Sequence, residues 1–315
     1  MLAFYADHFV LPLPEGHRFP MQKYALLRQQ LQHHLTGIVF RQALAASDDE
    51  LALVHTQGYI DAVTQGHLST ATQREIGFPW SLQMAERARR SVGATLQAAR
   101  AALGGDCIAA SLAGGTHHAY ADKGAGFCVF NDVAVAARCL QRQCAAPCIG
   151  QVARQLRVAI VDLDVHQGDG TAHIFREDPS VFTLSLHGAR NFPLRKQKSD
   201  CDIELPDGCQ DGQYLEALDD GLSQLDDRFK PDLIFYLAGA DPHEGDRLGR
   251  LALTDSGMQF RDRRVFEWAA QHRTPVAMVM GGGYGREMES TIRVQVNTYR
   301  VAMEYWQRSV TPKID

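Results

Sequence analysis

The sequence lacks several features that would place it in familiar classes. No apolar run reaches the ~18–20 residues that a membrane-spanning helix needs, so a membrane span is not expected. Basic residues are not in excess. Lys+Arg 32 against Asp+Glu 37 gives a formal charge of −5, which disfavours a general nucleic-acid binder. The first residues, Met1 to His8, have no basic segment followed by an apolar one, so no secretory signal is expected. The seven cysteines are odd in number and include no CxxC pair. A disulfide scaffold is therefore not expected, and a reducing cytoplasm is the natural compartment. Long linkers, low-complexity tracts and internal repeats are absent too.

What remains is 315 residues with 45% hydrophobic and 22% charged, enough for a sizeable core. Leu82 to Leu103 is rich in Ala, Leu, Arg and Gln and reads as a helix that Gly104-Gly105 ends. Asn131 to Leu140 reads as a second helix with Asn131 as N-cap. Arg157–Leu163, Val181–Leu186, Asp232–Leu237 and Pro275–Met280 are short apolar runs that read as strands. They are separated by helical stretches such as Gln213–Leu225 and Asp262–Ala270. Strands apolar on both faces and alternating with helices indicate an α/β fold. We expect a single doubly wound domain over residues 1–315, with a mostly parallel central sheet and helices on both faces.

Polar residues cluster at the ends of those runs. Asp162, Asp164 and His166 follow Val158–Val161, Asp241 follows Ile234–Ala238, and Gly281-Gly282-Gly283-Tyr284 follows Val276–Met280. In open α/β sheets such ends converge on one crevice. Strand alternation would put Asp162, Asp164 and His166 on one side, a costly arrangement unless a divalent cation compensates it. Oxygen and nitrogen donors suit zinc, and iron(II) is compatible with the same ligands. A catalytic metal needs a third protein ligand. Asp241 is the first candidate, with His243 and Glu244 as competitors. His117-His118, flanked by Gly114 and Gly115, offers a general base, and Asp162 and Asp169 are acids available to orient the two rings. The glycine loop matches neither GxGxxG nor GxxxxGK[ST], which leaves Tyr284 better suited to donate a hydrogen bond to a polarised carbonyl.

The stretches GGTHHA, GFCVFND, VDLDVHQGDGTA, LSLHGARNFP, AGADPHEGDRLG and MGGGYG occur in an order that resembles the histone deacetylase family of the arginase/deacetylase superfamily. The resemblance covers roughly residues 20 to 300. Within the family, the HQGDG variant, NFP, and DRLG with GGGY are most similar to class IV deacetylases and their bacterial relatives. The resemblance implies zinc ligation by Asp164, His166 and Asp241. It implies that His118, oriented by Asp169, is the general base, and that His117, oriented by Asp162, is its electrostatic partner. Tyr284 would bind the scissile carbonyl. Gly126 and Phe127 would form one wall of an acyl-lysine tunnel and Phe192 the other. Asp162, Ser185 and Leu186, with backbone of Asp164 and His166, would form a monovalent-cation site that holds K+. The implied reaction is hydrolysis of N-acyl-lysine in a protein or peptide, and the alternative substrate is a small acylated amine such as an acylpolyamine. A silent acyl-lysine-binding protein and a two-manganese ureohydrolase are further readings; the second would require more carboxylates around the first motif.

Further readings concern single features. Gly114, Gly115 and Gly281–Gly283 are candidates to leave room for acyl groups longer than acetyl. The loop from Gly66 to Trp80 is expected at the mouth, without a clear counterpart of a substrate-clamping aspartate. Cys139, Cys144 and Cys148 could form a structural zinc site, although their spacing fits no common finger. Cys128 and His55 read as packing residues, and Arg190, Arg195, Lys196 and Lys198 as a solvated basic loop. His33-His34 sits on a probable helix with no ligand beside it.

Overall fold

A computed structural model describes residues 1–145 and 155–310. In chain order the elements are β1 (Leu2–Tyr5), α1 (Lys23–His34), β2 (Val39–Gln42), α2 (Asp48–Leu51), α3 (Gln57–Gln65), α4 (Thr70–Ile76), α5 (Leu82–Ala101), β3 (Ile108–Ser111) and α6 (Asp132–Ala145). After these come β4 (Val158–Asp162), α7 (Asp169–Phe175), β5 (Val181–Gly188), β6 (Cys201–Leu205), α8 (Asp211–Arg228), β7 (Leu233–Leu237), α9 (Asp255–His272), β8 (Val276–Val279) and α10 (Met288–Val310). The described strands form one eight-stranded sheet in the order β2-β1-β3-β8-β7-β4-β5-β6. Every pairing in it is parallel, so the sheet is wholly rather than mostly parallel.

The apolar runs follow from burial on both faces. Along β7, Leu233, Phe235 and Leu237 face a core shared with α5 and α6, while Ile234 and Tyr236 face one shared with α1, α8, α9 and α10. β4 and β8 alternate in the same way. Each fully buried side chain of this size contributes about 1.5–3 kcal/mol over an exposed one. The edge strands are less apolar because one side meets water, as the mostly exposed Val39–Gln42 shows. None of the described helices is long and apolar enough to cross a membrane.

Chain direction reverses around β4. The chain leaves β4 for β5 on one side and returns through β7 on the other. The carboxyl ends of β3, β4, β7 and β8 therefore surround one crevice, where parallel α/β sheets place their ligands. Two local readings change in detail. Gly104-Gly105 does not end α5 directly but lies in one wide π-type turn, Ala102–Asp106, that leads into β3. The Gly66–Trp80 segment is not an open loop. It holds α4, capped by Ser69 on the Thr72 amide, and Trp80 is anchored through its indole N–H to the Val63 carbonyl at 2.7 Å.

Residues 43–46 lie flat against α5. Arg90 donates to the Ala43 carbonyl at 2.7 Å, and the Ala46 amide donates to the Arg89 carbonyl at 3.0 Å. Gly93 permits this approach: a Cβ there would sit 1.9 Å from the Leu44 carbonyl oxygen. Alanine is intrinsically better than glycine in a helix by about 1 kcal/mol. Here Gly93→Ala is expected instead to lower stability by about 1–3 kcal/mol through overpacking. Urea denaturation measures this, and a stabilised variant would show that the segment yields freely.

Candidate active site

β4 delivers the first acids. The Leu163 amide still pairs with the Leu237 carbonyl at 3.1 Å, and the chain then turns away from the sheet. The strand stops at Asp162, so alternation no longer governs the residues after it. Asp164 and His166 turn toward Asp241 from β7, whereas Asp162 turns toward His117. The expectation that Asp162, Asp164 and His166 share one side is therefore corrected.

The ligand atoms of Asp164, His166 and Asp241 all lie within 4.8 Å of one another. Backbone amides fix the two carboxylates. Gly282 N–H donates to Asp164 Oδ2 at 2.6 Å, and Val165 N–H donates to Asp241 Oδ1 at 3.0 Å. Asp241 Oδ2 is buried without a hydrogen-bond partner, 3.3 Å from His166 Nδ1 but outside hydrogen-bond geometry. Burial and the nearby Asp164 charge push the Asp241 carboxyl above its ordinary range. Burial opposes a charge on His166, yet Asp164 and Asp241 pull its pKa upward. The cluster thus draws in positive charge. Two carboxylate oxygens and an imidazole nitrogen fit a borderline divalent cation such as zinc, with a position left for a small ligand. His243 and Glu244 are not part of the cluster. His243 pairs with Asp255 at 3.2 Å and accepts from the Gly245 amide, while Glu244 is exposed.

The loop after β3 supplies the histidines. Gly114 and Gly115 have φ of +83° and +76°, a region that favours glycine. A Cβ on Gly115 would lie 2.6 Å from Gly281 Cα, so this loop packs directly on the one after β8. His117 Nδ1 lies 2.6 Å from Asp162 Oδ2, and His118 Nδ1 lies 2.6 Å from Asp169 Oδ1. These contacts put the Nδ1 proton toward each carboxylate and leave both Nε2 atoms for the cavity. The two rings differ electrostatically. Burial opposes a charge on His117, but Asp162 and Asp164 raise its pKa to about 9. Burial and then the charge of His117 lower His118 to about 4, with Asp169 opposing.

β8 ends in the loop that carries Tyr284. A Cβ on Gly282 would lie 1.9 Å from Asp241 Oδ2, so only glycine lets the loop pass this close to the acids. The Tyr284 backbone is clamped: its N–H donates to Asp246 Oδ2 at 2.5 Å, and its carbonyl accepts from Arg247 Nε at 3.0 Å. Lys23, buried, donates to the Gly283 carbonyl at 3.3 Å, with its Nζ 5.0 Å from the centre of the Tyr284 ring. Burial, with Tyr24 and the nearby acids, keeps the Tyr284 phenol protonated well beyond its usual range.

These groups line a cavity of about 160 Å³ with Gly126, Phe127 and Phe192. Gly126 and Phe127 have φ of +53° and +67°. Amide hydrogen bonds to the Glu75 and Ile76 carbonyls at 3.0 and 2.7 Å hold that unusual turn. The Phe192 ring packs edge-on against His118 at 4.8 Å, and Phe127 lies 5.8 Å from Tyr284. Tyr24, Arg87 and Ser91 also line the cavity.

Comparison with known proteins gives the same reading. A model of the histone deacetylase domain matches residues 17–298. The chain belongs to the histone deacetylase family. It is 42% identical over 306 residues to an uncharacterized protein of Picosynechococcus sp., covering 96% of this chain and 98% of that one. It is 34% identical to the acetoin utilization protein AcuC of Bacillus subtilis, over 76% of this chain and 64% of AcuC. A probable deacetylase of Archaeoglobus fulgidus is 30% identical, with 83% and 73% covered. Among solved structures, a deacetylase homologue from Aquifex aeolicus superposes with a TM-score of 0.79 at 22% identity, covering all of this chain and 86% of that one. The fold is thus that of the arginase/deacetylase superfamily, and the chain is a hydrolase of the deacetylase family.

Other expectations for this deacetylase are changed or refined. The glycines considered as room for long acyl groups do not leave space. The Cβ position of Gly114 is taken by Asp132 and Thr95, that of Gly115 by Gly281, and that of Gly281 by Asp164 and Gly239. Cys139 is buried on α6, and Cys148 lies outside the described residues. The described residues hold no other metal-competent group of three His, Cys, Asp or Glu. Cys128 is buried beside the cavity, and His55 accepts the Asn131 amide at 3.0 Å. Cys128 thus lines the cavity, and His55 holds the backbone at the start of α6. The basic run is only partly free, because Lys196 donates to the Asn191 and Pro193 carbonyls at 2.6 and 2.7 Å. Ser185 pairs with Asp162 in the sheet register, and its hydroxyl lies 2.9 Å from His187 Nδ1.

Sequence reasoning missed Asp132, Asp246, Lys23 and Arg87. Asp132 is the most consequential. Fully buried at the start of α6, it accepts from Gly115 N–H at 3.0 Å, Thr116 N–H at 2.8 Å and the Thr95 hydroxyl at 2.5 Å. Its neighbour Asn131, read as a cap, does accept from Ala134 N–H at 3.0 Å. Asp132→Ala would strand two loop amides, each at a cost of about 1–3 kcal/mol. We expect a stability loss of at least ~2 kcal/mol in urea denaturation. A loss within ~0.5 kcal/mol of zero, the scale of a neutral surface change, would refute this role.

Proposed function

We propose that this deacetylase is a zinc-dependent hydrolase of the amide bond in N-acyl-lysine. One observation carries the reading: the Asp164, His166 and Asp241 cluster shares a narrow cavity with two histidine–carboxylate pairs and a protonated tyrosine. A divalent cation held by the cluster would supply Lewis-acid polarisation of the acyl carbonyl and acidify water. His118, neutral at physiological pH and fixed by Asp169, takes a proton from the attacking water at Nε2 and later gives it to the leaving amine. His117, charged and paired with Asp162, offsets negative charge that develops beside it. Tyr284 donates its hydroxyl proton to the oxyanion in a hydrogen bond. Phe127 and Phe192 pack the lysine methylenes and exclude water. Asp162, Ser185 and Leu186, with the Asp164 and His166 backbone, are proposed to hold K+ beneath the site.

Arg190, Arg195 and Lys198 lie within six residues of Phe192 in the chain, and Leu194 between them is 92% exposed. Arg190 pairs with Asp207 at 3.7 Å, and the remaining cations, Arg195 and Lys198, near Leu194 would suit a peptide better than a polycationic amine. A solved acetylpolyamine aminohydrolase from Burkholderia pseudomallei shares the fold at a TM-score of 0.73 and 23% identity, covering 96% of this chain and 98% of that one. Acylpolyamines are therefore the comparison substrates. Arg87 and Ser91 also border a separate space of about 20 Å³ lined by Leu11, Phe78, Met84, Ala88 and Phe130. Acyl groups longer than acetyl are proposed as substrates on energetic grounds alone, each methylene contributing ~0.8 kcal/mol where the pocket receives it.

Asp164→Ala and Asp241→Ala should each lower both zinc content, by elemental analysis, and turnover. Full zinc occupancy in both would sink the ligand assignment. Tyr284→Phe should keep zinc while kcat drops by ~10²–10³-fold, the usual effect of losing one oxyanion donor. Unchanged turnover would remove the tyrosine from the mechanism. On one peptide bearing acetyl, butyryl, octanoyl or myristoyl lysine, kcat/KM should hold or rise beyond acetyl. A steep fall after acetyl means a closed pocket, and preference for acylpolyamines over every peptide overturns the lysine assignment.

A further inference from the structure

We infer that Arg261 is a positioning residue for the metal cradle, fixing the separation of the two strand ends that carry all three ligands. The inference rests on the metal-dependent reading above. Arg261 lies on α9, its side chain is fully buried, and it is not among the residues that line the cavity. A buried guanidinium must have every donor met, and the destination of each one is informative. Nε and Nη2 donate to Asp262 Oδ1 at 3.0 and 2.7 Å, which neutralises the charge. Nη1 donates to two carbonyls: Gly239 at 2.5 Å and Leu163 at 3.4 Å.

Those two carbonyls are the ones that matter. Leu163 immediately precedes Asp164, and Gly239 stands two residues before Asp241. β4 and β7 are paired through Asp162 and Leu237, and past that point the strands part to form the crevice. Their next carbonyls lose ladder partners where the cradle begins. One planar group supplies a donor to both. Gly239 is also wedged against the ligands, since a Cβ there would lie 2.8 Å from Asp164 Cα and 2.8 Å from Asp241 Oδ1. A shift of either strand end would therefore move ligand oxygens directly.

The clamp is itself anchored. Asp262 accepts from Tyr236 on β7 at 2.5 Å and from Thr298 on α10 at 2.7 Å. Neighbouring residues on a helix do not ordinarily face each other, so the Arg261–Asp262 pair forms only because the guanidinium folds back under the strand ends. A lysine in its place would keep a charge beside Asp262 but could not span an acid and two carbonyls in one plane.

The test uses the full chain, stripped of metal by a chelator, with zinc as the probe. Zinc affinity is measured by competition with a chromophoric chelator, alongside thermal unfolding and kinetics on an acyl-lysine peptide. Arg261→Lys and Arg261→Met should raise the zinc Kd by about 10–100-fold, the usual range for losing a partner that orients a ligand. With zinc restored to saturation, kcat should remain depressed while KM for the peptide is unchanged, because the tunnel walls are untouched. Arg261→Lys retains the ion pair and most of the packing, so it provides the measurement if Arg261→Met does not fold. A folded Arg261→Lys with wild-type zinc affinity and kcat, whatever its melting temperature, would reduce Arg261 to a structural residue and overturn the inference. A wild-type protein with no zinc affinity overturns the metal reading instead, and this inference with it.

Discussion

The structure depends on an unfavourable concentration of negative charge. Asp162, Asp164, Asp169 and Asp241 are all buried around one crevice at the carboxyl ends of a parallel sheet. Carboxylates removed from water need compensation by hydrogen bonds and positive charge. Amides from Val165 and Gly282 supply part of it, and His117 another part. The unpartnered oxygen of Asp241 marks what the protein leaves for a cation to complete. Glycines 239, 281 and 282 follow from the same constraint, because backbone must come within amide distance of acids already crowded together.

The two histidines show how one environment yields unlike groups. Each has a carboxylate at 2.6 Å, so the partner alone does not separate them. The difference lies in the second acid. His117 Nε2 is 3.9 Å from Asp164, whereas His118 faces the charge of His117 and the ring of Phe192. The two neighbouring rings are thus shifted in opposite directions, and position relative to Asp164 separates them.

Much of this was legible in the sequence where chemistry and secondary structure coincide. Val158–Val161 followed by acids, and Val276–Met280 followed by glycines, announce both strand and site. β3 was not legible. Ile-Ala-Ala-Ser has little intrinsic preference for a strand, and its place between β1 and β8 is set by tertiary packing. The sequence pattern marks α9 only from Asp262, seven residues after its true start at Asp255, where Thr254 caps Gly257 N–H. Asp132 and Arg261 were invisible for a different reason. The loop and strand-end groups they hold are backbone groups 16 to 98 residues away, and backbone acceptors and donors leave no mark in composition or spacing.

Sheet order has a consequence for how the molecule comes into being. β8 begins at residue 276 yet lies between β3 and β7, near the centre of the sheet. A chain emerging from the ribosome can pair β4 with β5 early, but it must hold a gap open beside β7 until β8, residues 276–279, is made. Such distant parallel pairing is slow, and exposed strand edges invite aggregation while it is incomplete. The amide of Gly282 that steadies Asp164 arrives only when that gap is filled. A nascent fragment that stops short of β8 therefore has the acids without the amide that steadies one of them.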